Sequence, residues 1–356
     1  MAAELMGLRL LFLPGDGIGP EITAATAVVI RAAAPLLSRK PEIEQAQIGF
    51  AALAAFGTTI PETVIDRARD VDGVILGPVS HNAYPPVAEG GHNPSGVLRV
   101  ALDLYANIRP ARTHAGLSAP SRRDFDLVVA RENLEGFYAD RNMHTGGGEF
   151  MPVPGVALAM RKITDHGSRR IAKSAFALAA ERRGKVTAIH KANVMRMSDG
   201  LFLRVCREMA ETHPDIEYDE MLVDAAAAHL VREPDRFDVL LCTNMFGDIL
   251  SDLAAELSGG LGLAGSLNAG ETHAVAQAQH GSAPDIAEQD RANPTSLILS
   301  AAMLLRHLGE TRAGDAIEAA VTTALSSPET RTADLGGRLG TEAYADILCN
   351  LIRETP

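Results

Sequence analysis

Asp248 and Asp252 stand four residues apart in the run Asn-Met-Phe-Gly-Asp-Ile-Leu-Ser-Asp at 244–252. On a helix that spacing stacks both carboxylates on one face, where they repel unless a cation lies between them. The dipole of a helix N-terminus would accommodate Asp248, but Asp252 lies a turn further in. Such hard oxygen ligands suit Mg2+ or Mn2+, and Asp224, which follows a predicted strand, is a third candidate. Lys191 closes the segment Ile-His-Lys at 189–191, at the end of an apolar run where an ammonium has no packing role. Near Arg and a metal its pKa would fall and it could serve as a general base; a snorkelling Lys is the plainer alternative. Arg99, Arg109 and Arg131 each sit at the end of a predicted element. Singly they read as surface charges, but together they would make a fork-geometry clamp for a pair of carboxylates.

Two loops could serve a ligand. Gly-Asp-Gly-Ile-Gly-Pro-Glu at 15–21 invites comparison with a dinucleotide fingerprint, but its glycines are spaced G-x-G-x-G and no acidic residue about twenty positions on completes a βαβ unit. Taken alone it is a tight strand-to-helix turn or a ligand loop. The second is His-Gly-Ser-Ala-Pro-Asp-Ile at 280–286. A carboxylate at Asp285 can accept ribose hydroxyls and would repel a 2′-phosphate, which selects NAD over NADP.

Short apolar runs at 8–13, 73–76, 127–130, 186–189 and 239–242 read as buried parallel strands, most of them followed by helical patterns such as 249–257 and 296–308. That alternation predicts an α/β fold. The stretch 140–156 is Gly-, Pro- and Met-rich and lacks helical periodicity, which suits a protruding arm or hairpin. The chain of 356 residues is long enough for two domains, and its net charge of -12 repels nucleic acid and anionic lipid, so an anionic ligand needs a local Arg cluster. Cys206, Cys242 and Cys349 are odd in number and far apart, which predicts neither a disulfide framework nor a zinc site. The first apolar run is too short for a signal-peptide core, so the expected location is the cytoplasm.

In this order, the segments resemble the β-decarboxylating dehydrogenases, the family of isocitrate, isopropylmalate, homoisocitrate and tartrate dehydrogenases. The resemblance covers nearly the whole chain and rests on the motifs at 15–21, 102–110, 131–138, 190–193, 244–252 and 280–286. It implies an isopropylmalate/isocitrate dehydrogenase-like two-lobed α/β subunit with parallel and mixed sheet, not a Rossmann fold. The large cofactor-binding lobe would comprise 1–104 and 259–356, and the small lobe 105–258, with a dimerisation arm near 138–160. It further implies a homodimer with shared active sites. Lys191, Tyr138 and Asp224 would be catalytic, Asp224, Asp248 and Asp252 would hold Mg2+ or Mn2+, and Ser95, Arg99, Arg109, Arg131 and Asn193 would bind the hydroxy acid. His280, Gly281, Ala283, Asp285, Ile286 and Asn293 would bind NAD. The implied reaction is oxidative decarboxylation of a 3-substituted (2R)-malate. A non-catalytic regulatory subunit is the alternative from another class, although all the metal and proton-transfer residues are present.

The chain departs from the family pattern at two places. Gln277 stands where relatives carry Glu ahead of the loop histidine. Ser95 and Gly96 stand where isopropylmalate enzymes carry Leu-Leu, so the pocket for the malate substituent is expected to be small and polar. That favours isocitrate, tartrate or malate over isopropylmalate, while the 280–286 loop and the chain length favour isopropylmalate; homoisocitrate remains a further alternative.

Overall fold

The computed structural model describes residues 7–138, 143–144 and 146–355, and the chain divides into two compact units. The first comprises Met1–Asp103, His114–Ser118 and Gly259–Pro356, and the second comprises Leu104–Thr113 and Ala119–Ser258.

The first unit opens with β1 (Leu8–Leu13), α1 (Gly19–Ala32), β2 (Pro41–Gln45), α2 (Gly49–Phe56), α3 (Glu62–Asp70), β3 (Gly73–Leu76) and α4 (Pro94–Ala101). The second unit contains β4 (Ala106–Arg112), β5 (Asp126–Glu132), β6 (Glu149–Val153), β7 (Val156–Ala159), α5 (Asp165–Ala180), β8 (Lys185–His190), α6 (Ser198–Glu211), β9 (Glu217–Leu222), α7 (Val223–Arg232), β10 (Val239–Cys242) and α8 (Asn244–Ser258). The chain then returns to the first unit with β11 (Leu267–Ala269), β12 (Ala274–Gln277), α9 (Thr295–His307), α10 (Thr311–Leu325) and α11 (Thr341–Arg353).

In the first unit β1 pairs in parallel with β2 and β3, β3 in parallel with β12, and β12 antiparallel with β11. In the second, β5 pairs antiparallel with β4 and parallel with β10, and β8 lies parallel between β10 and β9. The α/β class expected from the apolar runs is the one found. The antiparallel pairs β4–β5 and β11–β12 were not visible in them, because β4, β11 and β12 are not continuous apolar runs of that kind and the run in β5 carries no mark of direction. Gly-Val-Ile-Leu of β3 and Val-Leu-Leu-Cys of β10 are buried at every position. Helices α1, α9, α10 and α11 contribute Ile22, Val29, Leu297, Ile317 and Leu348 to the first core, and α5 and α6 contribute Ile171, Phe176 and Phe202 to a core of the second unit.

β6 and β7 form a two-stranded antiparallel ribbon, exposed throughout, where the sequence predicts an arm. Residues 139–142 and 145 of the expected arm lie outside the described residues. The three cysteines are free and buried. Among the described residues no helix is long and apolar enough to cross a membrane.

The 15–21 turn does more than reverse the chain. The buried carboxylate of Asp16 accepts the N–H of Phe50 (2.8 Å), the N–H of Ser80 (2.9 Å) and the Tyr84 hydroxyl, so one side chain ties together the segments that follow β1, β2 and β3. Ile18 N–H donates to the Ser282 carbonyl (2.8 Å), and the Ser80 and Ser282 hydroxyls share a 2.7 Å hydrogen bond, which anchors the 280–286 loop to the turn. Gly17, at φ +58, makes this approach possible: a Cβ there would lie 1.9 Å from the Ser282 carbonyl oxygen. Gly17→Ala is therefore expected to cost about 1–3 kcal/mol, from left-handed strain and from displacement of the loop. Urea unfolding checks this, and an unchanged midpoint would contradict it.

Candidate active site

Arg131, the penultimate residue of β5, has only 1% of its surface exposed. Its Nε donates to the Asn244 carbonyl (2.9 Å) and to Asn244 Oδ1 (3.0 Å) at the start of α8. Its Nη2 donates to the Tyr138 hydroxyl (2.6 Å), and its Nη1 to an Asp248 carboxylate oxygen. Gly247 allows this placement, since a Cβ there would stand 2.7 Å from Arg131 Cβ and Cγ. Arg109, buried on β4, donates from Nη1 to Ser251 Oγ (2.8 Å), Asp252 Oδ1 (3.2 Å) and Asp248 Oδ1 (3.3 Å). Tyr138 completes the network by donating to Asp248 Oδ2 (2.9 Å). Burial, and the neighbouring Arg131 charge, lower the Arg109 pKa to about 10, which still leaves it cationic at neutral pH.

The helical stacking of Asp248 and Asp252 inferred from their spacing is present in α8, and Arg109 lies against both. The Asp248 and Asp252 side chains keep 40% and 52% of their surface exposed. They are thus acceptor-only groups with oxygens still open to solvent, which fits a hard divalent cation. Arg109 Nε is buried without a hydrogen-bond partner, a donor that a bound anion or a water could satisfy.

Lys191 follows β8, and Asp224 lies in the first turn of α7, directly after β9. The parallel register His190↔Leu222 brings them together, and Lys191 Nζ donates to Asp224 Oδ1 at 2.5 Å. That bond holds the Asp224 carboxyl below the ordinary carboxylate range. Asp224 does not join Asp248 and Asp252 in the same chain: among the described residues no group of three His, Cys, Asp or Glu side chains could hold a metal ion. Asn193 is exposed in the turn after Lys191.

In the first unit Ser95 lies in the first turn of α4, which Asn93 caps by accepting from the Ser95 and Gly96 N–H groups. Arg99 is half-buried in the last turn of the same helix. The buried Ser95 hydroxyl donates to Gln277 Oε1 at 2.8 Å, so the two departures from the family pattern meet in one hydrogen bond. His280 Nε2 is buried without a partner, and burial lowers the His280 pKa, which favours the neutral ring. The space beside Gly281 is open, Ala283 takes a left-handed φ of +36, and Asp285 and Ile286 follow in a single 3-10 turn. Asn293 is committed internally: it donates to Asp334 (2.9 Å), and its carbonyl accepts the Thr295 N–H (3.0 Å) at the start of α9.

Sequence reasoning missed Asn244 and Ser251, which hold the two guanidiniums, as well as Asp16. Asn244 and Ser251 lie inside the same run as the two aspartates, so the signal was adjacency alone. Removing the Asp248 charge strands the fully buried Arg131, whereas Arg109 keeps Asp248 as a partner when the Asp252 charge is removed. Asp248→Asn is expected to lower stability by about 1–2 kcal/mol and Asp252→Asn by less than about 0.5 kcal/mol. Chemical denaturation of the two variants checks this, and equal losses would contradict the account of Arg131.

The family described as isocitrate/isopropylmalate dehydrogenase matches residues 9–348 of the chain. The 3-isopropylmalate dehydrogenase of Archaeoglobus fulgidus is 40% identical over 345 residues, covering 97% of this chain and 99% of that protein. The alpha subunit of the mitochondrial NAD isocitrate dehydrogenase of Macaca fascicularis is also 40% identical, over 96% of this chain and 94% of its own length. The crystal structure of isocitrate dehydrogenase from Methylococcus capsulatus superposes with a TM-score of 0.88 at 40% identity, covering 98% of this chain and all of that one.

Proposed function

The chain belongs to the isocitrate/isopropylmalate dehydrogenase family of decarboxylating dehydrogenases, and we propose that it oxidises and decarboxylates a (2R)-malate-type acid with a small or polar 3-substituent, using NAD and Mg2+ or Mn2+. One constellation carries this reading: two buried guanidiniums, two half-exposed carboxylates and a phenol in a single hydrogen-bonded network.

Arg109 and Arg131, with Arg99, bind the substrate carboxylates and fix the malate core. Lys191, once its ammonium has given up a proton, takes the proton of the 2-hydroxyl, and Asp224 holds the lysine side chain for that task. Tyr138 delivers a proton to the carbon that loses carboxylate, and Arg131, bonded to its hydroxyl, favours the phenolate that results. Asp248 and Asp252, joined by Asp224 from a second copy, are the metal-binding set, and the 280–286 loop, with its unpartnered His280 Nε2 and open Gly281, is the NAD-binding element. NAD, when bound, would supply the acceptor for the C2 hydride, and the cation would supply positive charge at the C2 oxygen. Asp285 in its exposed turn favours NAD over NADP.

A shared-site homodimer is supported by two observations. Lys191 and Asp224 pair with each other apart from Asp248 and Asp252. The ribbon of β6 and β7 also exposes Phe150, Met151, Val153, Val156, Leu158 and Met160, and an isolated two-stranded ribbon has little stability in water. The free, buried cysteines suit a reducing compartment such as the cytoplasm.

The substituent reading rests on Ser95. Its hydroxyl proton is donated to Gln277, so its lone pairs are left for a donor, and an isopropyl group would leave this polar pair desolvated. NADH formation with Mg2+ or Mn2+ is the test, compared across (2R)-malate, tartrate, isocitrate, homoisocitrate and 3-isopropylmalate. The expected result is the highest kcat/KM for a substrate without an alkyl substituent, and complete loss of turnover under excess EDTA. Turnover that survives chelation would contradict the metal requirement, and preference for 3-isopropylmalate would contradict the polar pocket. Ser95→Leu is expected to lower kcat/KM for the preferred substrate by about tenfold or more; unchanged kinetics would remove Ser95 from substrate recognition.

A further inference from the structure

The second unit holds a largely buried ion pair that the chemistry above does not use. Asp199, in the first turn of α6, has 0% of its side chain exposed, and Arg161 has 8%. Arg161 Nη1 donates to Asp199 Oδ1 at 2.5 Å and to Ser198 Oγ at 2.9 Å. The other carboxylate oxygen of Asp199 accepts the backbone N–H of Lys191 at 2.5 Å. The other end of the guanidinium reaches toward α8: Nη2 donates to Thr243 Oγ1 at 3.0 Å, and Thr243 is the residue before that helix starts. Arg161 also makes two cation–π contacts, 5.7 Å from the centroid of Phe137 and 5.5 Å from that of Phe246. Phe137 precedes Tyr138, and Phe246 lies two residues before Asp248. The backbone beside Arg161 is pinned as well, since Lys162 and Gly136 exchange both hydrogen bonds of a β-bridge (2.8 and 3.0 Å).

We propose that Arg161 and Asp199 are positioning residues that fix the Lys191 segment relative to the segments carrying Tyr138 and Asp248. This rests on the proposed roles of those three residues. A carboxylate and a guanidinium removed from water gain little net stability over apolar residues of similar volume, so stability alone is a weak reason for the pair to be here. Its geometry, by contrast, is directional: one carboxylate oxygen faces the backbone of Lys191, and one guanidinium spans three segments whose mutual placement the proposed chemistry requires. An error on the order of 1 Å in such placement costs up to about a hundredfold in rate. Whichever subunit's substrate each segment serves, the pair sets their spacing within the chain.

The test must separate positioning from folding, because either single charge removal strands a buried ion. Two double variants avoid that. Arg161→Met with Asp199→Asn removes both charges and keeps an acceptor for the Lys191 N–H; Arg161→Met with Asp199→Leu removes the acceptor too. Full-length protein is assayed with saturating NAD and metal on the best substrate of the panel, beside thermal unfolding, amide hydrogen exchange and a Lys191→Ala control. The expected result is a Tm within a few degrees of wild type in both, kcat reduced by about tenfold or more, KM for the hydroxy acid changed less than about threefold, and a larger kcat loss in the Leu variant. Exchange at the Lys191 amide is expected to accelerate in the Leu variant. If kcat returns to the wild-type value wherever Tm does, the pair is merely structural and the proposal fails. If Lys191→Ala turns over like wild type, the reading of Lys191 as base fails instead, and the positioning claim is then judged by exchange alone: unchanged protection at Lys191 and at 243–248 overturns it.

Discussion

Arg131 is a permanent cation with almost no access to water, and the rest of the second unit's site is arranged around that fact. A buried guanidinium is tolerated only when its donors are satisfied and its charge is matched. Asn244 satisfies the donors from the start of α8, Asp248 matches the charge one turn on, and Gly247 leaves room between them. The helix must therefore begin where it does. Its next turn then delivers Asp252 and Ser251 to Arg109, whose own burial depends on them. The proposed binding of a substrate through two carboxylates would need two positive charges close together, and the carboxylates of α8 pair with both guanidiniums without a ligand.

The strands supply the remaining coordinates. Arg109 and Arg131 lie on the antiparallel neighbours β4 and β5, in register with Val129 and Asn107, so the two guanidiniums reach α8 from one pair of strands. Lys191 and Asp224 leave the parallel neighbours β8 and β9 at the same end, as the carboxyl ends of parallel strands commonly carry ligand-binding groups. In the first unit Asp16 plays the organising part that Arg131 plays in the second. Its carboxylate gathers three loops, and through Ile18 and Ser80 the turn that carries it fixes the 280–286 loop.

The apolar runs revealed β1, β3, β5, β8 and β10 directly, and the i,i+4 spacing of Asp248 and Asp252 placed both on one helix face because such patterns depend only on local periodicity. What the sequence hid was long-range partnership. Asp16 reads as a turn residue, Arg161 as one of two adjacent cations beyond the Gly-, Pro- and Met-rich stretch, and Asp199 as an ordinary first-turn acid. None shows by type that it will be buried. Ser95 and Gln277 were each recognisable as departures from the family pattern, but the bond between them spans 182 positions and could be seen only in the fold. The glycine turn was undervalued for a similar reason, since its partner Ser282 lies near the other end of the chain.

Family membership and the Arg–Asp–Tyr network lead to one central claim, that oxidation at C2 and loss of the β-carboxylate occur in the same turnover. The direct measurement uses the preferred hydroxy acid labelled with 13C in its β-carboxylate, following labelled CO2 and NADH together. Equal molar release of the two is expected throughout steady-state turnover. NADH formed with the label retained in a keto acid would contradict it.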